Sequence, residues 1–311
     1  MIREAAEFLR GRVRRTPLEF SPGLSDLLGV PVWLKLESMQ LTGSFKIRGA
    51  LFSLSRLSEA GRAAGVVTCS AGNHGKAVAY AAQRCGVPAI ICVPRSIDRA
   101  KYQGMLALNA DLRVSAFDGY DDTEEWARAM AREEGRPFLS PFDDDGIMAA
   151  NGGTVALEVF EDAPAARVFV LPVGGGGFAA GFAFAAEGGL IIGCQHELSP
   201  ALRLSLDAGR AITKLPAVET MAGGIEGGIG ALTFGVLANR VGRVALVSED
   251  EILTAVRWMI EHHQYLIEPT AAVTIAACLS GRVGRITDPA VVVVSGRNVS
   301  IESAKKILCG C

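Results

Sequence analysis

The sequence predicts an α/β protein of two three-layer domains with parallel-rich sheets. Three observations lead there. The chain has 311 residues, more than one domain usually holds. Short β-branched runs alternate with helical stretches. The runs are continuously apolar rather than alternating, as strands are when a parallel sheet is covered on both faces.

The elements follow in order. Val66, Val67, Thr68 and Cys69 read as a buried strand. A loop of small residues comes next, then a helix through Ala77–Ala82 that Gly86 stops. Residues 89–93 form the next strand, closed by Pro94, which completes a βαβ unit. Asp121, Asp122 and Thr123 precede a charged helix over 124–132, and residues 142–146 have loop composition. The βαβ pattern then recurs: strand 168–171, loop Gly174 to Gly177, helix 179–186, strand 190–192. Residues 223–230 read as a second loop. Ser248 and Glu251 make a capping box ahead of a helix over 252–262, and Val291 to Val294 form a late strand. There is no fixed-period repeat and no low-complexity tract.

Composition narrows the function classes. Half the residues are apolar and 21% are charged, which suits a large core and not disorder. The net charge is −2 with both signs mixed, so no basic stripe points to nucleic acid and no polybasic run to a membrane surface. The first residues lack the apolar run of a signal peptide, and no apolar stretch approaches 18 residues. Seven scattered cysteines, an odd number, fit a reducing, cytoplasmic setting rather than a disulfide framework. Cys309 and Cys311 read as thiols on a ragged tail, with a metal or redox role as the alternative.

Four segments carry candidate chemistry. In Thr42-Gly43-Ser44-Phe45-Lys46 a lysine lies between apolar residues where the chain turns into a helix. Desolvation there depresses its pKa, and a neutral amine can form a Schiff base; the plain alternative is a solvated lysine at a helix start. Ser70-Ala71-Gly72-Asn73-His74-Gly75 joins a strand to a helix, where unpaired N–H groups and the dipole favour an anion such as a carboxylate. An ordinary Asn or Ser cap is the alternative. Gly174-Gly175-Gly176-Gly177 exposes four N–H groups ahead of another helix, a setting for phosphate or else a flexible turn. No Gly-Lys-Ser/Thr follows, so it is not a P-loop. Ser295-Gly296-Arg297-Asn298 follows the last strand, at the carboxyl end where such sheets bind ligands, unless it is a simple cap. The metal-binding and nucleophile motifs of zinc and α/β-hydrolases are absent from the sequence.

These motifs, in this order, resemble the serine/threonine dehydratase (threonine ammonia-lyase) family of pyridoxal-phosphate enzymes, related to serine racemase. The likeness runs from about Arg15 to Asn298. It implies the fold-type-II architecture, similar to tryptophan synthase β. By the resemblance, pyridoxal 5'-phosphate is the cofactor and Lys46 forms its internal aldimine and later acts as the base. Phe45 lies beside the ring, Asn73 bonds its phenolic oxygen, Ser295 faces its nitrogen, and Gly174, Gly175, Gly176 and Gly177 hold the phosphate. Ser70, Ala71, Gly72, Asn73 and His74 take the carboxylate of a small amino acid substrate. The implied reaction converts a 3-hydroxy amino acid such as L-threonine or L-serine to a 2-oxo acid and ammonia. A different 3-hydroxy amino acid, of the 3-hydroxyaspartate or phenylserine type, and a β-replacement synthase of the same fold are the rivals. A large domain of residues 1–46 and 143–311, a small domain of 47–142, and a homodimer or homotetramer complete the expectation. No regulatory domain is expected after Asn298.

Three departures from the family pattern matter. Racemases carry a serine where this chain has Ala71, so elimination is expected to prevail over inversion. Relatives often bind a divalent cation through acids at the places of Gln195 and Ala201, so no metal site is expected unless Glu197 rebuilds one. Relatives often have Gly-Gln-Gly-Thr where this chain has Asn151-Gly152-Gly153-Thr154, a change to which the sequence assigns no consequence.

Overall fold

The structure is a computed structural model that describes every residue except Ala71, Asp98, Glu187, Gly310 and Cys311. Nine strands form two sheets among the described residues. In chain order they are β1 (Leu18–Phe20), β2 (Val32–Leu36), β3 (Val66–Cys69), β4 (Ala89–Val93), β5 (Asp111–Val114), β6 (Val168–Pro172), β7 (Leu190–His196), β8 (Val241–Val247) and β9 (Ala290–Val294). The larger sheet has the order β1-β2-β9-β6-β7-β8, and the smaller has β3-β4-β5. All pairings are parallel except β1 with β2.

Helices cover both faces of the large sheet, and side-chain alternation shows it. Leu34, Val170, Val292 and Val294 pack against the helices Glu249–His263 and Pro269–Leu279. Phe169, Leu171, Val291 and Val293 pack on the other face, against Phe178 and Phe182 of the helix Gly177–Ala185 and Val155 and Val159 of the helix Thr154–Asp162. Burial on both faces is why the central strands β6 and β9 are apolar at every position. In the small sheet Val67, Cys69, Ile90 and Cys92 face the helix Tyr120–Glu133, while Ile91 and Val93 face Ala79 and Met105.

Two expected boundaries move. The helix placed at 124–132 begins at Tyr120, so Asp121 and Asp122 sit inside its first turn, where the dipole favours acids. Within the expected loop 142–146, Asp144 caps a short helix, Asp145–Met148, by accepting the Ile147 N–H at 2.8 Å.

Candidate active site

A cavity of about 360 Å³ opens at the carboxyl ends of both sheets. The expected residues meet there. Phe45, Lys46, Ser70, Gly72, Asn73, His74, Gly174, Gly175, Gly176, Gly177 and Ser295 all line it. Ala71 lies outside the described residues, as does Cys311.

Backbone pairing sets Lys46 in place. Ser44 bridges Gly296 in antiparallel fashion, the Phe45 N–H donates to Ser295 O at 3.3 Å, and the Arg297 N–H to Gly43 O at 2.9 Å. Lys46 is the first residue of the helix Lys46–Ser55. Its Nζ donates to Pro141 O at 2.8 Å and lies 5.2 Å from the Phe45 ring centre, and that ring packs on Phe178. Burial lowers the Lys46 ammonium to about 8.

The helix behind Lys46 is held by a buried ionic cluster. Arg48 forks onto Glu37 (2.9 and 2.8 Å) and onto Glu158 (2.7 and 3.1 Å), and Lys35 reaches Glu158 at 2.6 Å. Two cations face two anions, so the cluster buries no net charge, the condition under which buried ion pairs are tolerated. Asn151 adds a cap. Its Oδ1 accepts the Gly49 N–H at 2.8 Å from within a π-helical segment, Ala149–Gly153. The Asn-Gly-Gly-Thr departure thus has a consequence: it supplies a cap to the lysine-bearing helix.

The tetraglycine loop leads from β6 into the helix Gly177–Ala185. Among the described residues no protein acceptor takes the N–H groups of Gly174 to Gly177, which fits an anionic guest. Packing also demands glycine. A Cβ at Gly175 would lie 2.3 Å from the Phe142 ring, and one at Gly174 would lie 2.7 Å from Gly224 O. Gly176 has φ +90, where L side chains are strained. Four unpaired donors at a helix start, a deprotonable lysine and apolar Phe45 are together the donor set a phosphorylated aromatic aldehyde requires.

The second loop presents another helix start. The Ser70 N–H continues the β3–β4 ladder onto Cys92 O, and the Ser70 Oγ accepts the Gly72 N–H at 3.1 Å. The helix Asn73–Cys85 then begins. His74 points its ring away from carboxylate duty. The Thr68 hydroxyl donates to Leu139 O at 2.7 Å and so accepts from His74 Nε2, 3.1 Å away, leaving a buried, unpaired Nδ1. Burial, and then Lys46, push the His74 pKa down.

Gln195 occupies the place of the expected first acid, fully buried. Its Oε1 accepts the N–H groups of Leu202 (3.0 Å) and Arg203 (3.2 Å), and its Nε2 donates to Val173 O at 3.3 Å. Glu197 is exposed, and no group of three potential metal-ligating side chains occurs among the described residues.

Sequence reasoning missed Glu268, the N-cap residue of the helix Pro269–Leu279. It lines the cavity at 6% exposure, and Asn73 Nδ2 donates to its Oε1 at 2.6 Å. Burial raises its carboxyl to about 7. The only local signal was a glutamate ahead of Pro269 and an apolar helix.

Comparison with known proteins follows the same lines. A family model described as pyridoxal-phosphate dependent enzyme matches residues 9–296. The chain is 36% identical to the L-threonine ammonia-lyase of Geobacter sulfurreducens, covering 99% of this chain and 77% of that one. It is 33% identical to the catabolic L-threonine dehydratase of Escherichia coli K12, covering 98% and 94%. Maize serine racemase superposes with a TM-score of 0.90 at 30% identity, over 99% of this chain and 96% of that one.

Proposed function

The chain belongs to the pyridoxal-phosphate dependent enzyme family, and from that premise we propose that it is a dehydratase (ammonia-lyase) acting on L-threonine or L-serine. The products are a 2-oxo acid and ammonia. One observation carries the reading: Lys46, its ammonium lowered to about 8, shares a cavity with two helix starts, and at one of them the N–H groups of Gly174 to Gly177 have no protein acceptor among the described residues. One anion site suits a phosphate and the other a carboxylate.

The cofactor, when bound, supplies an aldehyde and an electron-delocalising ring. The chain's own groups do the rest. In this reading Gly174, Gly175, Gly176 and Gly177 donate to the phosphate, Phe45 lies against the ring, Ser295 faces the ring nitrogen and Asn73 the ring oxygen. The substrate carboxylate is taken by Ser70 and the N–H groups of Gly72, Asn73 and His74; Ala71, assigned to the same role by sequence, lies outside the described residues. Lys46 Nζ is the proton acceptor. With a pKa near 8 it is neutral in a useful fraction at physiological pH and still basic enough to take a proton. Lys46 sits where the two sheets meet, and residues 47–142 form a small domain against a large one of 1–46 and 143–311. Closure of the two excludes water.

Cys69, Cys85, Cys92, Cys194, Cys278 and Cys309 are free thiols, which supports a cytoplasmic setting as part of the proposal. No helix among the described residues is long and apolar enough to cross a membrane. A homodimer or homotetramer is proposed with it, and light scattering tests that. The activity itself is tested by a panel of 3-hydroxy amino acids assayed for 2-oxo acid release. Threonine and serine should lead. Release from neither, by protein carrying its cofactor, overturns the reading.

A further inference from the structure

Asn73 belongs to a chain of hydrogen bonds with a fixed direction. Lys76 Nζ donates to Asn298 Oδ1 at 2.8 Å. Asn298 Nδ2 donates to Thr42 O at 2.9 Å and to Asn73 Oδ1 at 2.7 Å. Asn73 Nδ2 donates to Glu268 Oε1 at 2.6 Å. The Lys76 and Thr42 end leaves no ambiguity: an ammonium only donates and a carbonyl only accepts, which orients Asn298 and through it Asn73. Turning the Asn73 amide over would set oxygen against the Glu268 carboxylate and nitrogen against the Asn298 nitrogen.

Two glycines make room for this arrangement. A Cβ at Gly296 would lie 1.8 Å from Glu268 Oε1, and one at Gly43 would lie 2.6 Å from Asn298 Oδ1. Gly43 flanks the lysine segment and Gly296 follows Ser295, so both ends of the chain of bonds are built into motifs that line the cavity.

We propose that Glu268 is a positioning residue, whose carboxylate locks the Asn73 amide so that its second N–H faces the cavity. The inference rests on the function proposed above and adds a residue to it. Asn73 then offers the bound group a donor and never its oxygen, which matches an anionic ring oxygen. Glu268 acts through Asn73 and needs no contact with the substrate.

A double-mutant cycle on the holoenzyme tests this, read out by cofactor dissociation constant and by the balance of the cofactor's two near-visible absorbance bands. That balance reports where the proton beside the ring oxygen sits. Glu268→Met should weaken cofactor binding about tenfold, the scale of one hydrogen bond to a charged group, and change the band balance. In an Asn73→Ala background the same substitution should change affinity less than about twofold. Glu268→Gln keeps an acceptor for Asn73 and should hold affinity within about threefold, which keeps the test alive if Glu268→Met does not fold. Equal losses in both backgrounds, or a tenfold loss in Glu268→Gln, overturn the inference. A wild-type protein with no cofactor band would instead sink the functional reading on which it rests.

Discussion

The side-chain oxygen of Gln195 lies 3.0 Å from the backbone nitrogen of Leu202. With Arg203 as second donor and Val173 O as acceptor, the amide ties β7 to the start of the helix Ala201–Ala208 and to the residue before the tetraglycine loop. A carboxylate could not donate to Val173 O.

Cation independence follows from that tie. Activity after exhaustive chelation should stay near its starting value. Gln195→Glu should destabilise the fold by about 1–3 kcal/mol, because an acceptor then faces Val173 O. A large loss on chelation, reversed by magnesium or calcium, would show a cation site built from other groups.

Lys46 should carry a pH signature in cofactor-free protein. Its folded pKa is lowered to about 8 from 10.5, so the charged form is disfavoured by folding. That cost is fully present below pH 8 and fades as pH rises toward 10.5, where both states are neutral. Lys46→Met should therefore gain roughly 1–3 kcal/mol at pH 7 and lose that advantage by pH 10.5. The same variant should give no borohydride-reducible adduct. Denaturant midpoints that differ equally at pH 7 and 10.5 would assign the titration to another group.

Gly175→Asp should lower cofactor affinity by about 2 kcal/mol or more. The cause is twofold. The added Cβ must displace Phe142, which lies 2.3 Å from it, and the added carboxylate repels a phosphate. Gly175→Ala isolates the first cause and should show a smaller loss. Absorbance titration with cofactor measures both, and retention in the aspartate variant would move the phosphate elsewhere.

Elimination should outrun racemisation. Inversion needs a proton donor on each face of a planar carbanion, and Ala71 has none to give. With L-serine or L-threonine, 2-oxo acid should form far faster than the inverted amino acid. Ala71→Ser should raise inversion relative to elimination. Chiral chromatography beside a 2-oxo acid assay decides it, and equal wild-type rates would require the carboxylate loop to be redrawn.

Legibility followed burial and locality. β4, β6 and β9 are readable because both faces are covered and the residues are apolar throughout, and β3 and the first half of β7 because their apolar runs are broken only by Thr68 and by the later Gln195 and His196. β5 has mostly exposed positions at the edge of its sheet, and β8 is an edge strand with Arg243 exposed, so neither carries that pattern. The glycine, lysine and asparagine segments are legible as candidates because what marks them is local sequence, and all three line the one cavity. Glu268 was not, since its partner Asn73 is 195 residues away and only the fold brings them together. Gln195 stands out in the sequence as a missing acid, but its backbone partners lie in two other segments, Leu202 and Arg203 on one side and Val173 on the other, which only the fold brings to it.

The π-helical segment Ala149–Gly153 crosses the helix Gly177–Ala185 at almost backbone contact: a Cβ at Gly152 would lie 1.8 Å from Phe178 O, and one at Gly181 would lie 1.9 Å from Met148 O. For anyone redesigning substrate scope, this crossing divides the cavity wall into two kinds of material. Substituting either glycine drives the helix off its neighbour and carries Gly177 and the anion loop with it, so the cost appears in every substrate at once. Ile97, Met221 and Ser300 line the cavity from segments outside this crossing. Libraries placed there can vary selectivity while the machinery stays put.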